Sequence, residues 1–262
     1  MKHWFLIRQY LSYLLNAKSA HGVHSPFVFD FINSVLQASK QSQDYQAIQA
    51  LRKQLYADQH LLHVEDFGAG SLIKATHQRK VCDIAKNAGR NHKFGKLLST
   101  LIQRYPIQNV IELGTSLGIA TSYMASAKPN VQITTLEGSR EIAAYATKSF
   151  DYLQLKNIKQ VIGNFDEVFL PTLQSLNSID LIFIDGNHRK EPTLRYFQQA
   201  LPFLHEHSIL IFDDIHWSPG MQEAWHEIKA HPSVTLSIDL FYFGLVFFNK
   251  EFKVKQDFIL KF

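Results

Sequence analysis

From about residue 90 the chain alternates short apolar runs with amphipathic stretches. The runs at 109–113, 131–136, 158–162, 179–184 and 208–213 are rich in Val, Ile, Leu and Phe and predict strands. The stretches 93–104, 118–127, 139–153, 166–175, 190–204 and 219–230 space apolar residues three or four apart and predict helices. Alternation at this interval implies parallel strands covered by helices on both faces. Two further runs, 234–240 and 244–249, are joined only by Phe241–Phe243. That link is too short for a helical crossover and predicts an antiparallel hairpin.

Residues 1–60 read as helices with loops. Trp4, Ile7, Leu11, Leu14 and Leu15 fall near helical spacing, so the first helix is expected to pack as a cap on the domain. A membrane-surface helix is the sharper reading, but its basic face is thin. The segment His21-Gly-Val-His-Ser-Pro-Phe27 then interrupts the helices, either as a substrate entrance or as a linking loop with solvated histidines. Asp66-Phe-Gly-Ala-Gly-Ser71 lacks a strand–turn–helix context and reads as a loop. Lys74, Arg79 and Lys80 read as solvated.

Chemistry concentrates in Val110–Ser122, VIELGTSLGIATS. An apolar run ends at Glu112-Leu113-Gly114, turns, and reaches Gly118 before a small-residue segment. This is a buried strand, a tight turn and a helix start, the place where an α/β sheet holds a nucleotide-like ligand. The spacing is G-x-x-x-G rather than the G-x-G-x-x-G of dinucleotide folds. An acid inside it repels a pyrophosphate but suits a cationic amino-acid-type cofactor.

On these residues the chain resembles a class I S-adenosylmethionine (SAM)-dependent methyltransferase. The resemblance covers roughly residues 90–250. It implies an α/β, Rossmann-like class I methyltransferase fold: a seven-stranded, mostly parallel sheet ending in an antiparallel hairpin, preceded by a helical cap. The expected division is a cap at 1–80 and a methyltransferase domain at 81–262. Gly114 and Gly118 would let the backbone approach the cofactor. Ser116 would bond its amino-acid end, and Glu112 would anchor the loop or attract the ammonium. Glu137-Gly138 ends the second strand, 25 residues after Glu112. The resemblance makes Glu137 the ribose binder; by itself it is also an ordinary strand-end acid. Asn164 and Phe165, after the third strand, would flank the adenine, although Asn after Gly is a common turn pair.

The fourth strand ends at Asp185, followed by Gly-Asn-His188, and the fifth at Asp213-Asp214, followed by Ile-His216-Trp217. Carboxylates converging at one sheet edge repel each other, and a cation resolves the repulsion. Oxygen ligands suit Mg²⁺, Mn²⁺ or Ca²⁺. The pattern looks like the metal-assisted O-methyltransferases of the catechol and caffeoyl-CoA type, which place an acid and an Asp-Asn pair at these strand ends. Asp185, Asp213 and Asp214 occupy the positions, with Asp214 where the family has Asn. Alternatively, Asp213 or Asp214 caps the next segment. Asp185-Gly-Asn-His188 also resembles the D-G-x-H signature of a broader methyltransferase group. His188 stands where the catechol-type enzymes carry a catalytic lysine, and imidazole can do that work near neutral pH. Asp185 and His188 are therefore the catalytic candidates, with His216 a second base or ligand. Arg189 and Lys190 either steer an anionic substrate or are exposed helix-start charges.

Composition narrows the class. Hydrophobic residues are 46% of the 262 and charged residues 19%, so a sizeable core forms and global disorder is excluded. The net charge of +4 comes from scattered basic residues, which disfavours nucleic acid as a partner. The single cysteine, Cys82, excludes an internal disulfide and a cysteine zinc cluster, and suits the cytoplasm. Lys2, Arg8 and Lys18 break up the apolar N-terminus, so neither a transmembrane helix nor a signal peptide is expected. The expected partner is a small-molecule methyl acceptor, and a homodimer is compatible with the fold. Two other readings stay open. One is a metal-independent N- or C-methyltransferase; the other is a non-catalytic SAM-fold binding module.

Overall fold

The computed structural model describes residues 2–41, 43, 45–64, 78–88 and 92–262. In chain order come α1 (Lys2–Asn16), α2 (Pro26–Phe31), α3 (Ala38–Gln41) and α4 (Gln46–Ala57), then β1 (Leu61–His63), β2 (Gln78–Lys80), α5 (Val81–Ala88) and α6 (His92–Arg104). The regular part follows: β3 (Asn109–Leu113), α7 (Ile119–Ala125), β4 (Gln132–Glu137), α8 (Arg140–Tyr152), β5 (Ile158–Ile162), α9 (Phe165–Gln174), β6 (Ile179–Ile184) and α10 (Lys190–Ala200). The chain closes with β7 (Leu204–Phe212), α11 (Pro219–Ala230), β8 (Leu236–Asp239), β9 (Gly244–Phe247) and β10 (Gln256–Ile259). Residues 66–71 and Lys74 lie outside the described residues. No helix among the described residues is long and apolar enough to cross a membrane.

Contacts divide the chain into two compact units, Asn33–Phe169 and Met1–Ile32 with Leu170–Phe262. In the first, β3 pairs with β4 and β4 with β5, all parallel. Strand β3 is buried from Val110 to Leu113, as a strand covered on both faces must be. Helix α6 buries Phe94, Leu97, Leu98, Leu101 and Ile102, the apolar stripe of a 3.6-residue period. A separate cluster gathers Leu51 and Leu55 of α4, Val81, Ile84 and Ala85 of α5, and Ile142 of α8 around Leu117. The glycine turn after β3 is thus pinned by a side chain in its middle.

In the second unit the strand order is β10-β8-β9-β7-β6. Strands β6 and β7 are parallel, and β9 runs antiparallel to β7 and to β8. The expected hairpin is therefore present. One strand exceeds the expected set, because β10 pairs in parallel with β8. Its sequence, Gln-Asp-Phe-Ile, is short and half polar, so periodicity does not reveal it. Backbone bonds from Gln256 to Thr235 (2.9 Å) and from Leu260 to Asp239 (3.0 Å) fix it instead.

The helix expected over 190–204 ends at Ala200, and Leu204 already belongs to β7. Pro202, inside the short 3₁₀ turn Leu201–Phe203, supplies no N–H to continue the helix. The polar start of β7, His205-Glu206-His207, carries no strand signal, and the register against β6 shifts there.

Helix α1 differs from expectation in the face it buries. Tyr13 is buried within it, Ala17 just after it, and Phe5 and Leu6 are half-buried. Trp4, Ile7, Leu11, Leu14 and Leu15, the residues expected to pack inward, are exposed, Trp4 by 76% and Leu15 by 87%. The anchor is aromatic: Tyr10 and Tyr13 lie 4.9 and 5.4 Å from the Phe241 ring, and the Tyr13 hydroxyl donates to the Leu260 carbonyl at 2.6 Å. The histidines of the 21–27 segment are exposed while Val23 and Ser25 are buried.

Candidate functional site

Each unit carries one set of the residues singled out by sequence. In the Asn33–Phe169 unit they gather at the carboxyl ends of β3, β4 and β5. The turn after β3 needs left-handed backbone at Gly114 (φ 106°), Ser116 (φ 48°) and Gly118 (φ 80°). Only glycine takes the first and third without strain. A Cβ at Gly118 would also lie 2.5 Å from the Phe150 ring. The N–H groups of Gly114 and Thr115 both donate to the Leu136 carbonyl, tying the turn to β4.

Glu137 completes this arrangement. One carboxylate oxygen accepts the Ser116 N–H at 2.9 Å, and the other accepts the Ser139 N–H at 3.0 Å. Burial nevertheless pushes its pKa up, against the pull of these backbone donors. Each oxygen keeps lone-pair capacity for a further donor, such as a hydroxyl of a bound diol. Gly138 follows at the strand end.

Glu112 is placed differently. It is fully buried, and one oxygen accepts from the Thr121 (2.5 Å) and Thr135 (2.6 Å) hydroxyls. Thr135 is bonded in turn to Thr115 of the turn at 2.6 Å. The other oxygen, Oε1, has no partner among the described residues. Desolvation raises the pKa to about 7, the two threonines oppose it, and the nearby Glu137 charge adds to it. These bonds tie the Glu112 side chain of β3 to α7 and β4. Sequence reasoning missed Thr115, Thr121 and Thr135. The available signal was the acid inside an apolar strand, which demands donors nearby.

Asn164 closes the third strand end. Its side-chain oxygen accepts the Asp166 N–H at 3.1 Å, and its carbonyl accepts from Glu167 and Val168, so it opens α9. Phe165 is the first residue of that helix.

In the other unit, β6 and β7 lie side by side, and Asp185 and Asp213 directly follow them. One ligand-type atom from each of Asp185, His188 and Asp213 lies within 4.8 Å of the others. His188 Nε2 is 3.6 Å from Asp185 Oδ1, and Asp213 is buried. Asp214 is not in this group; its backbone is left-handed (φ 56°) and its N–H donates to Asp213 Oδ1 at 2.8 Å. Two carboxylates and an imidazole at this spacing are a donor set suited to a divalent cation.

Other charged neighbours are already engaged. His216 Nε2 meets Asp239 at 2.8 Å, and its ring stacks on Phe241 at 5.4 Å. Asp239, unforeseen from sequence, also accepts the Phe241 N–H at 2.7 Å. Lys190 bridges to Glu223 (2.9 Å) and Glu227 (2.7 Å) of α11, and these acids raise its pKa. Its ammonium ties two helices rather than standing ready for an anion. Arg189 donates to Asn187 at 2.8 Å, and Asn187 donates to Tyr196 at 3.1 Å, fixing the loop that presents His188.

Residues 111–215 match the family described as Methyltransferase domain. The catechol O-methyltransferase of Niastella koreensis is 35% identical over 124 residues, covering 46% of this chain and 55% of that protein. The chain thus matches little more than half the length of that curated relative. The O-methyltransferase TomG of Streptomyces achromogenes, solved with SAM, gives a TM-score of 0.54 at 23% identity, covering 62% of this chain and 82% of that one. An O-methyltransferase of Bacillus cereus, solved with S-adenosylhomocysteine (SAH), gives 0.53 at 22%, covering 62% and 83%. These structural likenesses show the Rossmann-like α/β fold.

Proposed function

We propose that this chain, whose residues 111–215 match the family described as Methyltransferase domain, is a SAM-dependent O-methyltransferase acting on a small-molecule hydroxyl. The observation that carries the reading is Glu137, an acid at the end of β4 tied to the Ser116 N–H of the Gly114–Gly118 turn. A half-buried carboxylate beside a left-handed backbone turn suits a ligand bearing both a vicinal diol and an amino-acid end. Glu137 would take the ribose hydroxyls, Gly114, Ser116 and Gly118 the amino-acid end, and Asn164 and Phe165 the adenine, with Glu112 and Gly138 shaping the turn.

SAM, when bound, supplies an electrophilic methyl group and departs as the neutral thioether. His188 would take the proton of the acceptor hydroxyl. Asp185, 3.6 Å away, orients the ring and stabilises the imidazolium that results. Asp185 and Asp213, rather than Asp214, would hold a divalent cation such as Mg²⁺, Mn²⁺ or Ca²⁺, and the cation would lower the hydroxyl's pKa. Acceptor selection is assigned to residues 1–80 and methyl transfer to 81–262. The buried free Cys82 suits a cytoplasmic protein.

The test is calorimetric titration of SAH into the wild type and Glu137→Ala, with and without Mn²⁺. Micromolar binding lost in the variant is expected. Absence of binding to well-folded wild type would sink the reading. Catechol, suggested by the Niastella relative, is the first acceptor to assay. Turnover that survives EDTA would favour a metal-independent methyltransferase instead.

A further inference from the structure

Helix α1 presents its more apolar side to solvent. Trp4, Ile7, Leu11, Leu14 and Leu15 follow the three- and four-residue spacing of one face, and all are exposed. The opposite side carries Tyr13 and half-buried Phe5, Leu6 and Gln9. A helix apolar on both sides is ordinarily covered on both. Here the inner side is anchored through Tyr10 and Tyr13 on Phe241, and the outer side forms a contiguous apolar stripe.

The charges around the stripe identify its occupant. No acidic residue precedes Asp30, whereas Lys2, Arg8 and Lys18 fall in the first 18 positions. Lys18 is also bonded into the C-terminal segment: it pairs with Leu260, and the Lys261 N–H donates to its carbonyl at 3.0 Å. Lys18 and Lys261 are both exposed, so a basic cluster sits at the end of α1. A second copy of the chain docking helix to helix would oppose Arg8 and Lys18 to like charges with no acid in the segment to offset them. A surface of anionic headgroups over acyl chains satisfies both the stripe and the cations.

We propose that the outer face of α1 binds an anionic phospholipid surface. The helix lies in the plane of the interface, with Trp4, Leu11 and Leu15 below the headgroups and Arg8, Lys18 and Lys261 at their level. The proposal does not depend on the methyltransferase reading.

Vesicle flotation of the full chain tests it. The probes are vesicles of phosphatidylcholine alone and of phosphatidylcholine mixed equally with phosphatidylglycerol. The wild type should float with the mixed vesicles only, and added salt should weaken the association. Leu11→Ser with Leu15→Ser should lower partitioning at least about tenfold, since two buried leucines supply most of the apolar gain. Arg8→Gln and Lys18→Gln should each lower it roughly fivefold. These positions are exposed, so circular dichroism should show every variant folded. Failure of the wild type to float overturns the proposal, as does equal flotation of the leucine variant. A dimer in sedimentation that the leucine variant dissociates would assign the stripe to a second copy and overturn it too.

Discussion

At the ends of β3 and β4, Glu112 and Glu137 are met by donors from their own unit: Thr121, Thr135 and the N–H groups of Ser116 and Ser139. At the ends of β6 and β7, Asp185 and Asp213 instead converge with the imidazole of His188. The first region is organised by the protein and held rigid by strand, turn and pinned side chain. The second concentrates negative charge and nitrogen donors, which a cation or a proton must balance. Binding a ligand of fixed shape calls for the first kind of site. Chemistry that moves a proton and stabilises developing charge calls for the second.

Variants can separate the two regions. Asp213→Ala should lower methyl transfer about a thousandfold, the scale of losing a positioned acid–base or metal group, while SAH affinity changes by no more than a few-fold. Single-turnover rates beside calorimetry read both quantities. Glu137→Ala should do the reverse at a smaller scale, weakening SAH about a hundredfold through lost hydrogen bonds to a charged group. If Asp213→Ala weakened SAH as much as Glu137→Ala did, the division of labour would be wrong.

The sequence revealed the two regions unevenly. Strands at 109–113 and 179–184 match the structure because buried parallel strands are nearly continuous apolar runs, and 158–162 matches although none of its residues is buried. The positions of Glu137, Asp185 and Asp213 followed directly, since each ends such a run. The donors around Glu112 were hidden: Thr121 lies on α7 and Thr135 within β4, so only pairing brings them to one carboxylate. Similarly, Asp239 meets His216 across 23 positions. Strand β10 depends on backbone pairing that no local pattern announces. The outward face of α1 was also illegible, because periodicity gives the angle of a stripe but not the direction it faces.

The smallest expected effect probes the rigid region alone. Burial moves the Glu112 pKa from 4.5 to about 7, so across that interval the folded state holds a proton that the unfolded state releases. Stability must therefore fall as pH rises from about 4.5 to about 7 and level off above it. Glu112→Gln removes this titration while keeping a carbonyl to accept from Thr121 and Thr135. Its amide falls where Oε1 has no partner, which adds a cost independent of pH. Relative to the wild type, the variant should thus gain on the order of 2 kcal/mol across the interval, read from urea unfolding at several pH values. A difference that stays flat with pH would mean that Glu112 is charged at both ends of the interval. The donors around it would then stabilise the carboxylate fully, as hydroxyls and not as a proton on Glu112 itself.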